Sequence, residues 1–314
     1  MPYSFARIGI EPSRLFSRDQ MPPAPHAERY AAGTYTWHFF DSARANRARP
    51  HPRLGATDVE YRFNRLGYRA PEFPDAADTD DRVSLVCIGS SGLFGAGLPE
   101  SETLPAQAAS LLETRLGRSV RYWNLGSGGT GADYVTRMLF SAIPVLAPDL
   151  LLITTFPFNR REFINEQGHI FSGYGSPNWH QRFTNPEQWR LDTVCSNISN
   201  AYTDSVNFMT NFKVWEHLCD SAKLPWVFTT EAYSQQLDEL LPLMTDPRRS
   251  IAPGIHALID HYRGTPATGL ARDMLHAGSE PTARLAADMV NALFQIYPQS
   301  MAALRQTDQH NQST

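Results

Sequence analysis

The sequence predicts an α/β fold, an open and mostly parallel sheet with helices on both faces. Two observations predict it. Short strand-like runs at 83–88, 120–124, Leu150–Thr155 and Trp226–Thr230 are bounded by Gly, Pro or Asn, and three of them are largely apolar rather than alternating. That is the pattern of a strand buried on both faces. Between and after them lie stretches of helical length whose apolar residues recur three to four apart. Strand–helix alternation with short turns feeds a parallel sheet through right-handed crossovers, and such sheets bind ligands at the carboxyl ends of their strands.

The elements follow in order. Residues 1–35 carry scattered Pro, Arg and Ala without periodicity and are expected to be loosely ordered or to wrap over the body. Residues 36–80 hold Trp37, Phe39, Phe40, Tyr61, Phe63, Tyr68 and Phe73, enough aromatic surface to require packing on the main domain, and the acidic stretch 74–81 reads as a linker. The run 83–88 is the first strand. A helix opens near Ser101–Pro105, with Leu111, Leu112 and Leu116 on about one face before Gly117. Residues 120–124 form the second strand, closed by a Gly-rich turn, and Ala132–Leu146 reads as a helix with a late Pro144. Leu150–Thr155 is the third strand. Residues 164–200 are polar, aromatic and aperiodic, the character of a lid or pocket wall. A long amphipathic helix is expected over 205–224, since Met209, Phe212, Trp215 and Cys219 share a stripe; Pro225 ends it, and Trp226–Thr230 is the fourth strand. Pro281 starts a last helix with Leu285, Met289, Val290, Leu293 and Phe294 on one face. The expected division is an N-terminal extension over 1–80, a main domain over 81–300 and a polar C-terminal tail over 301–314.

The 314 residues are 42% apolar and 19% charged, with net charge −4. This is ordinary globular composition without the basic footprint of a nucleic-acid binder. No apolar run reaches the roughly 20 residues that span a bilayer. The first twenty residues lack the apolar stretch of a secretory leader, so a cytoplasmic location is expected. Three cysteines, Cys87, Cys195 and Cys219, stand far apart without a CxxC pair, which argues against a disulfide framework or a structural zinc. His169, His180, His256 and His261 match no recurrent metal spacing and read as surface or loop histidines. Neither a metal nor a cofactor is expected.

The chemistry concentrates where strands end. After the first strand comes Gly89-Ser90-Ser91-Gly92-Leu93-Phe94-Gly95-Ala96-Gly97. This small-residue turn can expose a serine hydroxyl over a helix N-terminus, whose N–H groups favour an oxyanion. The second strand ends in Asn124-Leu-Gly-Ser-Gly-Gly129, and the third in Phe156-Pro-Phe-Asn159. Near the C-terminus, Asp273-Met-Leu-His276 puts a carboxylate within reach of an imidazole. Simpler readings exist for each. Ser91 could be a small turn residue, Gly129 a strand terminator, Asn159 a turn amide and Asp273 a cap. The Gly-rich turn also invites a dinucleotide reading, but its glycines at 89, 92, 95 and 97 do not spell GxGxxG, and no acidic residue clearly ends a second strand at the right distance.

Taken in order, these blocks resemble those of SGNH/GDSL hydrolases. Gly89–Gly97 resembles the first block, although Ser90 stands where that block has Asp. Asn124–Gly129 is similar to the second, Asn159 to the third (Arg160 follows where Asp is usual), and Asp273 with His276 to the Asp-x-x-His of the fifth. Asn64-Arg-Leu-Gly67-Tyr-Arg69 resembles a segment that precedes the first block in many bacterial members. The likeness spans roughly 60–297. It implies a three-layer, flavodoxin-like, doubly wound core. It further implies a serine esterase with Ser91 as nucleophile, Asp273 and His276 as its partners, and an oxyanion hole from the Ser91 N–H, Gly129 and Asn159. Acyl transfer from the same acyl-enzyme, or a catalytically silent binding protein, are the alternatives. Trp179 and Trp189 are expected near the bound ester, a small molecule or a carrier-bound acyl group.

Overall fold

The computed structural model describes residues 15–25, 27–38, 41–74, 81–156, 158–164, 170–174, 193–195, 197–231, 235–262 and 264–306. Strands β1 (Gly33–Tyr35) and β2 (Tyr61–Phe63) pair antiparallel ahead of the main sheet, with the short helix α1 (Ala43–Ala48) between them. The main sheet holds β3 (Val83–Gly89), β4 (Val120–Gly126), β5 (Leu150–Thr155) and β8 (Trp226–Thr230), all parallel, in the order β4-β3-β5-β8. Strands β6 (Arg160–Ile164) and β7 (Ile170–Tyr174) form an antiparallel hairpin between β5 and β8. Helices α2 (Ser91–Phe94), α3 (Leu104–Leu116), α4 (Ala132–Leu146), α5 (Ala201–Ser221), α6 (Gln235–Leu240), α7 (Ile255–Tyr262), α8 (Pro266–Gly269), α9 (Ser279–Ile296) and α10 (Pro298–Gln306) complete the described elements.

The sheet separates two apolar layers, and the period of two along each strand sorts its residues between them. Val86, Ile88, Trp123, Leu125, Leu151, Ile153, Trp226 and Phe228 face α4 and α5. Leu85, Cys87, Leu150, Leu152 and Val227 face α3, α7 and α9. Helices on both faces explain why these strands lack a polar alternation. All four strands foreseen from sequence are present, as is the doubly wound arrangement.

Local chemistry set the helix ends more finely than periodicity did. The long helix begins at Ala201, not 205, because Asn200 accepts hydrogen bonds from the N–H groups of Tyr202 and Thr203 at 3.1 and 3.0 Å. It also stops at Ser221, and Lys223 turns into the left-handed region at φ +53°. Near Ser101 the chain first makes a 3-10 turn, Glu100–Glu102, before α3 starts at Leu104. Residues 301–306, read from sequence as the start of a polar tail, continue α10; Met301 is buried in the α3–α9 layer. The hairpin β6–β7 lies partly in the stretch expected to be aperiodic.

The described residues before β3 are tied into this body. Met21, Tyr68 and Phe73 belong to the layer with α4, and the Ser17 N–H donates to Ser141 Oγ at 3.1 Å. Tyr61, Phe63 and Phe94 form a further apolar cluster with Leu54 and Val59. The expected linker falls largely outside the described residues.

Candidate active site

Ser91 opens α2 directly beyond the carboxyl end of β3, with Ser90 at the cap position in extended backbone. Glycine makes this placement possible. A Cβ at Gly126, the last residue of β4, would lie 2.4 Å from the Phe94 nitrogen, so only a bare backbone lets α2 settle onto the sheet edge. The second turn is bound to the first: the Ser127 N–H and Thr130 Oγ1 both donate to the Gly89 carbonyl, at 2.9 and 3.2 Å.

Gly129 lies in that second turn at φ +83°. Two residues on, Gly131 abuts the main chain of Arg160, where an added Cβ would sit 2.9 Å from the carbonyl oxygen. Asn159, partly buried, immediately precedes this contact in the chain. It follows Phe158, a non-glycine at φ +66°. β6 is pinned just beyond it: Glu162 accepts Arg137 Nε and Nη2 at 2.7 and 2.9 Å in a buried bidentate pair, and its N–H donates to Asp133.

Asp273 and His276 are joined directly. His276 Nδ1 lies 2.5 Å from Asp273 Oδ2, and Oδ1 accepts the N–H groups of Leu275 and His276 at 2.9 and 3.0 Å. The Asp273 carboxylate is fully buried, whereas the His276 side chain keeps 20% of its surface exposed. Met274 between them takes φ +58°, which turns both side chains to one side. Burial by itself would raise the Asp273 pKa, but the imidazole and the two N–H donors hold it below the usual range. Burial likewise works to lower His276, yet the Asp273 charge and hydrogen bond prevail, with Glu231 assisting and Arg160 opposing, and its pKa lies above 6.5.

Two connections tie this turn to the Ser91 segment. The Arg272 N–H donates to the Gly97 carbonyl at 2.9 Å, and Gly97, at φ +74°, has no room for a Cβ beside the Arg272 and Asp273 nitrogens. Behind the turn, Arg272 and Asp41 form a fully buried ion pair at 2.6 Å. Tyr61 donates to Asp41 at 2.7 Å and accepts the Gly97 N–H at 2.8 Å. Residues ahead of the first core strand thus brace the Asp-x-x-His turn.

Three further groups stand at the same sheet edge, Glu231, His256 and Arg160. Glu231, 3% exposed, follows β8 directly and reaches Ser90 and Gly92. The His256 N–H donates to the Glu231 carbonyl at 2.9 Å, and its ring meets the Phe156 ring edge-on. Arg160 stacks on the other partner, its guanidinium 3.5 Å from the Phe156 ring centre. The signal for Glu231 was in the sequence, an acid standing just past an apolar strand, the same signal that singled out Asn159. His256 was set aside for want of a metal spacing. Among the described residues, no three His, Cys, Asp or Glu side chains cluster to hold a metal, and no helix is long and apolar enough to cross a membrane. Trp179 and Trp189 lie outside the described residues.

In three dimensions the chain is similar to G-D-S-L and SGNH-hydrolase proteins. One is a G-D-S-L family protein from Desulfitobacterium hafniense DCB-2, 11% identical over 67% of this chain and 99% of that one, with a TM-score of 0.41. Another is the psychrotrophic esterase EstA from Pseudoalteromonas sp., at 10% identity, 69% and 99% coverage and a TM-score of 0.43. A third is AlinE4, an SGNH-hydrolase family esterase, at 14% identity, 70% and 100% coverage and a TM-score of 0.39. No protein-family model and no curated protein matches the chain. At TM-scores below 0.5 these likenesses decide nothing about the chemistry, which rests on the residues of the site.

Proposed function

We propose that the protein is a serine hydrolase of SGNH type acting on a small acyl or alkyl ester. The observation that carries this reading is the Asp273–His276 pair, a buried carboxylate held by two backbone N–H groups and fixed 2.5 Å from Nδ1. A carboxylate on Nδ1 sets the tautomer that leaves Nε2 free to take a proton. The pair sits on a turn bonded to the segment that begins with Ser91.

In the proposed reaction, His276 Nε2 takes the Ser91 hydroxyl proton as Oγ attacks the ester carbonyl. The carbonyl π pair moves onto oxygen, giving a tetrahedral oxyanion. The Ser91 N–H, the Gly129 N–H and the Asn159 amide serve as its donors, each typically worth about 3 kcal/mol in such sites. The oxyanion collapses, the C–O bond to the alcohol breaks, and His276 returns its proton to the leaving oxygen. Water then attacks the acyl-enzyme by the same route, freeing the acid and restoring Ser91. Asp273 stabilises the imidazolium in both halves. Trp179 and Trp189 are proposed to wall the ester-binding side.

The test is labelling by a fluorophosphonate together with hydrolysis of esters of graded acyl length. The wild type should be labelled on Ser91 and should release acid. Ser91→Ala should fold normally and lose both activities by many orders of magnitude. Labelling on Ser90, or hydrolysis that survives Ser91→Ala, overturns the assignment.

A further inference from the structure

We propose that Glu231 is a positioning residue of this site, a second buried carboxylate that fixes the Ser90-Ser91-Gly92 turn and presents its negative charge to His276. The proposal rests on the hydrolase reading above and adds a residue that none of the resembling blocks contains.

Glu231 is locked at its backbone. Its N–H donates to the Thr155 carbonyl at 2.8 Å, and its own carbonyl accepts the His256 N–H at 2.9 Å. The side chain crosses to the neighbouring strand ends, where three donors converge on one oxygen. Oε1 accepts the Ser90 hydroxyl, the Gly92 N–H at 3.3 Å and Thr154 Oγ1 at 3.5 Å. A Cβ at Gly92 would lie 3.1 Å from this oxygen, so the glycine admits the carboxylate against the helix start.

Two consequences follow for Ser91. Its neighbours on both sides are bonded to one rigid group, so the hydroxyl it carries has little freedom to drift. The Gly92 N–H is occupied by Glu231, which leaves the N–H of Ser91 itself to face an oxyanion. A carboxylate is costly to bury unless hydrogen-bonded or paired. Here it meets the Gly92 N–H and the hydroxyls of Ser90 and Thr154, and its charge acts favourably on the His276 imidazolium. Among the charged and titratable groups that act on His276 are Asp273 from its own turn, Glu231 from the end of β8, Arg160 from the start of β6 and His256 from the start of α7. Of these, Asp273 and Glu231 favour the imidazolium that forms when Ser91 gives up its proton.

The isosteric Glu231→Gln removes the charge and keeps the shape. The expected result is a kcat lower by about ten- to a hundredfold with KM little changed. The titration of the His276 ring, followed by NMR in labelled protein, should move to lower pH. Glu231→Asp keeps the charge but shortens the reach, so kcat should fall while the His276 titration stays near its wild-type position. Ser90→Ala should lower kcat without moving that titration, and its cost should shrink in the Glu231→Gln background, because the Ser90 hydroxyl then meets a neutral acceptor rather than a carboxylate. A Ser90→Ala enzyme with wild-type kcat overturns the positioning role even if Glu231→Gln does not fold. A folded Glu231→Gln protein in which kcat and the His276 titration are both unchanged overturns the proposal outright. If wild-type protein is never labelled on Ser91, the hydrolase reading fails, and the NMR titration still decides whether Glu231 acts on His276.

Discussion

The brace behind the Asp-x-x-His turn makes Asp41 a sharp place to perturb the protein. One oxygen of Asp41 accepts Arg272 Nε at 2.9 Å, Arg272 Nη2 at 2.6 Å and the Tyr61 hydroxyl at 2.7 Å. Neither side chain of the pair has exposed surface. Asp41→Ala would leave a buried guanidinium with only carbonyl acceptors from Thr36, Gly55 and Ala56. Removing one partner of a buried pair costs about 3–5 kcal/mol, whereas replacing both by apolar groups is often near neutral. Asp41→Asn keeps an acceptor oxygen and loses the charge, so about 1.5–3 kcal/mol is expected, the usual value of a hydrogen bond to a charged group. The assay is urea unfolding of the single variants and of Asp41→Leu/Arg272→Met. In urea, Asp41→Ala should lose about 3–5 kcal/mol of unfolding free energy, and the double variant should recover most of the loss. Because Arg272 precedes Asp273 and its N–H bonds Gly97, the same variant should also lower kcat, by about tenfold. A loss below about 1 kcal/mol for Asp41→Ala, the scale of an exposed ion pair, would refute the brace.

The acid limb of kcat/KM should lie above pH 6.5 and rise with pH, because His276 must be neutral to act as base and its pKa is raised. A pH–rate profile with a midpoint below 6.5 counts against His276 as the base, and Asp273→Asn should move the midpoint down. The same shifts act on stability with opposite signs. The contribution of His276 is complete below 6.5 and is lost as pH rises through its raised value, while that of Asp273 is lost as pH falls through its depressed one. Alanine at Trp179 or Trp189 should change the ratio of rates on short- and long-chain esters more than it changes the melting temperature; equal losses on every ester with a large drop in melting temperature would assign them to packing.

The sheet was legible because its signal is local. A strand buried on both faces is largely apolar, so β3, β5 and β8 announce themselves over a few residues, and β4 is marked by the glycines that close it. The Asp273–His276 pair was legible for the same reason, since three residues of spacing nearly dictate contact. What the sequence hid is long-range. Nothing in the residues around Asp41 says that it meets Arg272, more than two hundred positions on. Nothing around Ser90 names Glu231, because the partnership is created by β3 and β8 ending at one edge. The hairpin β6–β7 was obscured for another reason. Its Arg-Arg-Glu run carries no apolar strand signal, and its charges are taken up in pairs, Glu162 with Arg137 and Arg161 with Asp204.

The backbone of the site bears on how firmly it is held. Among the described residues, the non-glycine positions with positive φ are Ala147, Phe158, Lys223 and Met274. Ala147 and Lys223 terminate or follow helices, where a left-handed residue closes the last turn. Phe158 and Met274 have no such duty. One precedes Asn159, and the other separates Asp273 from His276. A left-handed residue costs roughly 1–2 kcal/mol, and such strain persists only where surrounding structure over-determines it. Around Met274 the determinants are visible: its own N–H bonds the Ala271 carbonyl at 2.8 Å, the next two N–H groups bond Asp273, and Ala271 bonds the His276 carbonyl. Around Phe158 they are its burial against Phe208 and the Arg137–Glu162 pair beyond it. These bonds do two things at once. They offset the strain, and in the proposed reaction they remove the freedom by which the Asn159 amide or the His276 imidazole could turn away from the ester.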